Sequence, residues 1–274
     1  MSSEDDNKIM KAKDLDMSKI TFSEIKTLKN GGKTIWVNYE DHSIFIQTPE
    51  MEIPWDSGNF FPNDNNETSG KYSVEVSLKG HDSDGSMKEF YDVMMQMDEM
   101  LKEAGVINSV SWFKKKTMTL DSIDDKYTPM VKVSTNSETG EPDGKYPPRF
   151  RFKVIQYDGK VQCKCFKHPE KTTPMNTNNP DEDDYVVLGI NIPFEERLSR
   201  KHERVFKKGT KVKMVLRCKG VWITNGNYGC TWSAEQVRIK TPVGFSDYAF
   251  LDDTDEEEQG ETLGEGNFVD SSSE

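Results

Sequence analysis

Apolar side chains recur mostly at every second position along this chain. From Lys33, KTIWVNY, a polar EDH turn and SIFIQ alternate as a β-hairpin, with Trp36 and Phe45 among its large side chains. PWDSGNFFPNDNNETSG is punctuated by Pro, Gly and Asn and reads as loop. KYSVEVSLKG alternates strictly through Tyr72, Val74, Val76 and Leu78, the pattern of a half-buried strand. The period then changes. After the capping-box pair Ser86 and Glu89, Phe90, Met94, Met97 and Leu101 recur at helical spacing until Gly105, which predicts a helix over 86–104. Its methionines sit at core spacing and read as packing.

Two further stretches alternate with a difference: their polar face is basic. In RFRFKVIQYDGKVQCKCF, Asp158-Gly159 is a two-residue turn. It places Tyr157 opposite Lys160, Lys153 opposite Lys164 and Arg151 opposite Phe166. Phe152, Val154, Val161, Cys163 and Cys165 share the inner face, and Arg149, Arg151, Lys153, Lys164 and Phe166 the outer one. GTKVKMVLRCKGVWI repeats the pattern, with Val212, Met214, Leu216 and Cys218 against Lys211, Lys213, Arg217 and Lys219. Parity puts Trp222 with the apolar set, unless a bend at Gly220 turns it outward. Beyond a turn of Asn and Gly, Val237 and Ile239 look inward, while Trp232, Gln236, Arg238 and Lys240 share the other side. Between these hairpins FEERLSRKHERVFKKG reads as a charged helix and TTPMNTNNPDEDDY as a polar loop. Three lysines after Trp112 and Phe113 suit a solvated edge and a nucleic-acid contact equally.

Composition divides the chain. Its 274 residues are 34% hydrophobic with mean hydropathy -0.78, an ordinary core diluted by segments that do not pack. The expected division is a flexible arm over 1–20, a folded body over 21–245 and a disordered acidic tail over 246–274. The net charge of -12 splits into -11 over 1–144, +10 over 145–245 and -11 over 246–274. Local potential steers a polyanion, so the central basic block outweighs the total.

Catalytic signatures are missing: no Walker A loop, HExxH, GxSxG or Cys-x-x-Cys, and His42, His81, His168 and His202 lie in separate contexts. We therefore expect no enzyme and no cofactor. Cys163, Cys165, Cys218 and Cys230 read as reduced, half-buried thiols; Cys163, Cys165 and His168 also form a C-x-C-x-x-H string of the zinc-ligand type, without a matching second half. His81, Asp82 and Asp84 suit either a divalent metal or a strand-to-helix turn. No apolar run approaches the roughly 18 residues of a membrane span, and MSSEDDNKIM lacks a secretion pattern, so the expectation is an intracellular protein without membrane contact.

Like charges opposed on a sheet are destabilising unless something anionic covers them. Basic faces interleaved with aromatics, on the short strands of a five-stranded Greek-key barrel, suit single-stranded nucleic acid: cations follow phosphates and rings stack on unpaired bases. The expected contacts are Arg149, Arg151, Lys153, Lys164, Phe166, Lys211, Lys213, Arg217, Lys219, Tyr228, Trp232 and Arg238. The tail holds no basic residue. Tethered to a basic groove at ~mM effective concentration, its Asp252, Asp253, Asp255, Glu256, Glu257 and Glu258 compete with DNA, and once released they recruit basic partners, with Phe268 as an anchor.

KYPPRFRFKV, FKKGTKVKMVLRCKGVWI and NYGCTWSAEQVRI, within residues 145–240, resemble the OB-fold single-stranded-DNA-binding proteins of large nucleocytoplasmic DNA viruses, which are similar to the replication proteins of T-odd phages. The resemblance implies a mainly β (α+β) protein with an OB barrel and one long packed helix. It implies sequence-independent ssDNA binding in viral replication, recombination and repair, a homodimer formed by tail exchange, and contacts to DNA polymerase and other replisome proteins. The setting it implies is a viral replication factory, in the cytoplasm or nucleus of the host cell. In the phage family an aromatic residue ends the chain, whereas Phe268 lies six residues short of the end. Two other readings stand beside it: a metal-dependent nuclease using an OB domain, and a structural virion protein.

Overall fold

The computed structural model describes residues 8–29, 31–63, 66–169, 172–178, 188 and 205–242. The predicted helix of FEERLSRKHERVFKKG falls largely, and the acidic tail with Asp252, Asp253, Asp255, Glu256, Glu257, Glu258 and Phe268 wholly, outside them.

Strands dominate, as the two-residue period requires. They are β1 (Ile9–Lys11), β2 (Ile20–Phe22), β3 (Lys26–Thr27), β4 (Lys33–Ile35), β5 (Val37–Tyr39), β6 (His42–Ser43), β7 (Phe45–Gln47), β8 (Met51–Glu52), β9 (Asn59–Asn63) and β10 (Asn66–Ser77). Helices α1 (Ser86–Ile107), α2 (Ser109–Phe113) and α3 (Leu120–Asp124) follow. The remaining strands are β11 (Tyr127–Thr128), β12 (Val131–Lys132), β13 (Arg149–Tyr157), β14 (Lys160–Val161), β15 (Lys164–Lys167), β16 (Lys211–Thr224) and β17 (Asn227–Lys240). Fourteen of the strands join one sheet, larger than the five expected, and β2, β5 and β6 form a second. Within the large sheet the pairings close a circuit, β16 to β8 to β10 to β13 to β17 and back to β16.

The alternating apolar positions line its interior: Val74, Val76, Phe150, Phe152, Val154, Val212, Leu216, Val237 and Ile239 are fully or almost fully buried. Helix α1 lays the predicted stripe of Phe90, Met94, Met97 and Leu101 into this core, with the Phe90 and Phe150 rings edge to face at 5.3 Å. It runs past Gly105 to Ile107; the glycine serves packing, since a Cβ there would sit 2.5 Å from the Tyr228 hydroxyl. Gly85, not Ser86, is its N-cap, so the capping box does not form. Asp98 on α1 is buried yet accepts bonds from the Tyr127 hydroxyl, Met130 N at 3.0 Å and Val131 N at 3.3 Å. Burial pushes its carboxyl above the ordinary range, against the pull of these bonds.

Several expected partners change. Tyr157 does face Lys160, but the hairpin stops after Gln156 and Val161, so Lys153 does not meet Lys164 and Arg151 does not meet Phe166. Instead β13 pairs antiparallel with β10, Arg151 opposite Glu75, and β15 runs parallel to β17. The Lys33–Gln47 segment also divides: β5 and β6 form the local hairpin while β4 and β7 attach to β16. Residues 8–20, read as part of an arm, are packed: β1 pairs parallel with β7, and Met10, Ala12 and Leu15 are buried. Three buried apolar residues override the polar composition around them.

Candidate nucleic-acid interface

Register partners share a face, so the pairing of consecutive strands defines rows across the outer surface. One row runs Lys11, Gln47, Val215, Gln236 and Lys164, over β1, β7, β16, β17 and β15. A second runs Ile9, Phe45, Arg217, Ser233, Lys153 and Ser73, ending on β10. Arg217 and Lys153 thus stand two strands apart, about 10 Å. Beside the first row, Lys213 is directly opposite Arg238, and Arg238 is the register partner of Phe166. Gln47, Phe166, Lys213, Val215, Gln236 and Arg238 line a recess of about 230 Å³. Lys153, Lys164, Lys213, Arg217 and Arg238 therefore gather on and around β17 on one face.

The charges are not equally free. Arg149 and Arg151 both hold Glu75: Arg149 Nη1 lies 2.9 Å from Oε2 and Arg151 Nε 2.9 Å from Oε1. Lys211 has Glu52 as its cross-strand neighbour on β8. Among the described residues, no carboxylate forms an ion pair with Lys213, Arg217, Arg238, Lys164 or Lys153; the Arg217 guanidinium lies 5.5 Å from the centre of the Phe45 ring and donates to the Ser43 hydroxyl. Lys153 donates to the Thr231 hydroxyl at 3.2 Å, and burial, with Lys71 and Arg151 nearby, pushes its pKa down to about 8. Among the described residues no carboxylate offsets its ammonium.

Two expected aromatic contacts are not on this face. Trp232 is 1% exposed and donates from its indole to Met130 Sδ at 3.0 Å. Tyr228 is fully buried, its hydroxyl donating to Leu101 O at 3.2 Å. Both corrections have one cause. β-Bulges shift the β16–β17 register between Val215 and Leu216, where Glu235 is the extra residue, and between Cys218 and Gly220, where Lys219 is. Each bulge reverses the inside–outside phase, so Trp232 comes to lie inside with Val237 and Ile239, and Trp222 turns outward, half-buried, on the bend foreseen at Gly220. Gly220 has φ +90°, and a Cβ there would sit 2.2 Å from Ile35 O.

Composition gave no pointer to Lys11 or Ile9, whose place follows from a parallel pairing; the only signal was the alternation of IMK itself. The loops hid others: Trp36, Trp55, Phe61 and Tyr146 are large exposed rings in segments read as turns or hairpin, and Phe61 is the register partner of Lys71. A ring in a polar loop that no core periodicity explains was the available sign. Cys163 and Cys165 are buried and free, and no group of three metal-ligating side chains occurs among the described residues. His81 packs on the Tyr91 ring at 4.7 Å.

No protein-family model and no curated protein matches the chain. Among solved structures it is similar to gp2.5, a single-stranded DNA binding protein encoded by bacteriophage T7, at 12% identity and TM-score 0.40, over 84% of this chain and 100% of that one. It is also similar to the single-stranded DNA-binding protein from bacteriophage Enc34 in complex with ssDNA, at 9% identity and TM-score 0.37, over 82% and 97%. A C-terminal truncation of that protein aligns at 10% identity and TM-score 0.36, over 83% and 98%.

Proposed function

We propose that this face binds single-stranded DNA without sequence preference, on a barrel of OB type. The carrying observation is the pair Lys213 and Arg238: two cations directly opposed on a sheet, without a carboxylate partner among the described residues, beside Phe166. Such an opposition costs stability in the free protein and is relieved by a phosphate laid over it. Rows of cations at strand spacing follow a backbone, and the half-buried Phe166 and Trp222 offer flat surface to bases, which any base can use. The corresponding role is to coat unpaired DNA in viral replication, recombination and repair. On this reading Asp252, Asp253, Asp255, Glu256, Glu257 and Glu258 of the tail compete for the same face and, when displaced, engage basic replisome partners such as a polymerase with Phe268 as anchor; a homodimer exchanges these tails.

Fluorescent oligo-dT titrated across a salt series tests the reading. Each phosphate contact to a single strand contributes about -0.7 to the slope of log K against log salt. Five to seven contacts predict a slope of about -3.5 to -5. Lys213→Glu with Arg238→Glu should weaken binding by at least tenfold and flatten that slope by more than one. An unchanged affinity in the double variant, with its fold intact by circular dichroism, would remove the interface.

A further inference from the structure

At the far end of the outer line on β13 lies a cleft that the rows above do not include. Its volume is about 600 Å³, within the range of small-molecule sites, and Trp55, Tyr146, Val133, Pro147 and Arg149 line it with the hydroxyl residues Ser77, Ser134 and Thr135. No carboxylate is part of its lining. Trp55 is 40% and Tyr146 62% exposed, so both present ring surface to a ligand in the cleft. Both rings stand on stiff backbone. Pro54 precedes Trp55, and Pro147 and Pro148 follow Tyr146, with Leu78 N donating to Pro148 O at 2.8 Å. Arg149 is held from two sides, by Glu75 at 2.9 Å and by the Trp55 face 4.9 Å from its guanidinium carbon. The floor is equally fixed: Thr135 bridges to Pro142, and Asp143 N donates to Ser134 O at 3.0 Å. Exposed rings, hydroxyls and two cations, the clamped Arg149 and Lys145 with its ammonium 5.4 Å from the centre of the Tyr146 ring, form the inventory for one unpaired nucleotide: rings for the base face, hydroxyls for its edge and a guanidinium for its phosphate.

We propose that this cleft is a single-nucleotide anchor, in which one unpaired base stacks on Tyr146 beside Trp55 while Arg149 takes the adjoining phosphate. The inference rests on the ssDNA reading above and adds to it a defined position at which the strand is gripped by its base. Continuity supports it. Arg149, Arg151 and Lys153 alternate outward along β13, so the cleft lies about 13 Å from Lys153 and the row that leads to Arg217.

The test uses oligo-dT of fixed length, intact or carrying a single abasic site at successive positions. With the wild-type chain one abasic position should weaken binding about 5- to 150-fold, the span of one stacked base, while the others have small effects. Tyr146→Ala and Trp55→Ala should lose the same factor on intact DNA and become indifferent to that abasic position; Tyr146→Phe should behave as wild type. Photo-crosslinking of a 5-bromodeoxyuridine oligonucleotide, which needs no variant, should map to Tyr146 or Trp55. If wild type binds oligo-dT but is equally tolerant of every abasic site and crosslinks elsewhere, the anchor is overturned and the basic face stands. If wild type does not bind oligo-dT, the ssDNA reading falls and the anchor with it.

Discussion

Lys153 shows how a single side chain reports on what the surface is for. A lysine half-buried beside Lys71 and Arg151 has its charged form destabilised, and its pKa is pushed down to about 8. Phosphate nearby restores the ammonium. In the free protein the group is mostly charged below that value and neutral above it, so binding at high pH requires proton uptake. The affinity for oligo-dT should be flat from pH 6.5 to 7.5 and then fall as pH rises through 8, by up to tenfold per unit. Lys153→Arg, charged throughout, should abolish that fall while keeping affinity at neutral pH. Titrations between pH 6.5 and 9.5 decide the matter, and a wild-type curve level to pH 9 would contradict it. The sequence revealed that Lys153 points outward, because Phe152 and Val154 beside it are apolar; it held no sign of Lys71, which approaches from β10 through a pairing of distant segments.

Alternation assigns a strand its faces and leaves its partners open, and this limit explains which elements were legible. The second half of β10, α1 and the outward cations of β13 and β16 follow directly from their periods, whereas β9 and the first half of β10 lie in PWDSGNFFPNDNNETSG, which Pro, Gly and Asn made read as loop. The parallel attachments of β15 to β17 and β1 to β7 do not, since nothing local specifies a partner some seventy residues away for β15 and thirty-six for β1. Bulges are the second blind spot: a bulge changes parity without changing composition, which is how Tyr228 and Trp232 exchanged roles with Trp222. The glycine at the second bulge makes this testable. At φ +90° with Ile35 O 2.2 Å from any Cβ, Gly220→Ala forces backbone against backbone, and β16 must part from β4. A loss of about 3 kcal/mol or more is expected, lowering Tm by about 6–12 °C. Scanning calorimetry would show it. An unaltered Tm would mean that β16 can pass this point without its bulge.

The chain sets a basic face inside an acidic total, and the distance over which charge is felt determines which of the two an approaching polyanion meets. At 0.01 M salt the Debye length is about 30 Å, comparable with the protein itself, so the net charge of -12 repels a polyanion before contact. At 0.15 M it shrinks to about 8 Å, and the rows around β17 act alone. Removing residues 243–274, which carry eleven acidic and no basic residues, leaves a net charge near zero. The shortened chain should therefore associate with oligo-dT faster than the full chain at low salt, and the advantage should shrink as salt rises. A tail that also occupies the face adds a second effect of a different kind, a tighter equilibrium that persists at 0.15 M, because a tethered competitor acts at contact distance. Stopped-flow rates and equilibrium affinities across one salt series separate the two. If the truncation leaves both unchanged at every salt concentration, the acidic segment neither screens nor competes, and the basic face meets DNA without regulation from its own chain.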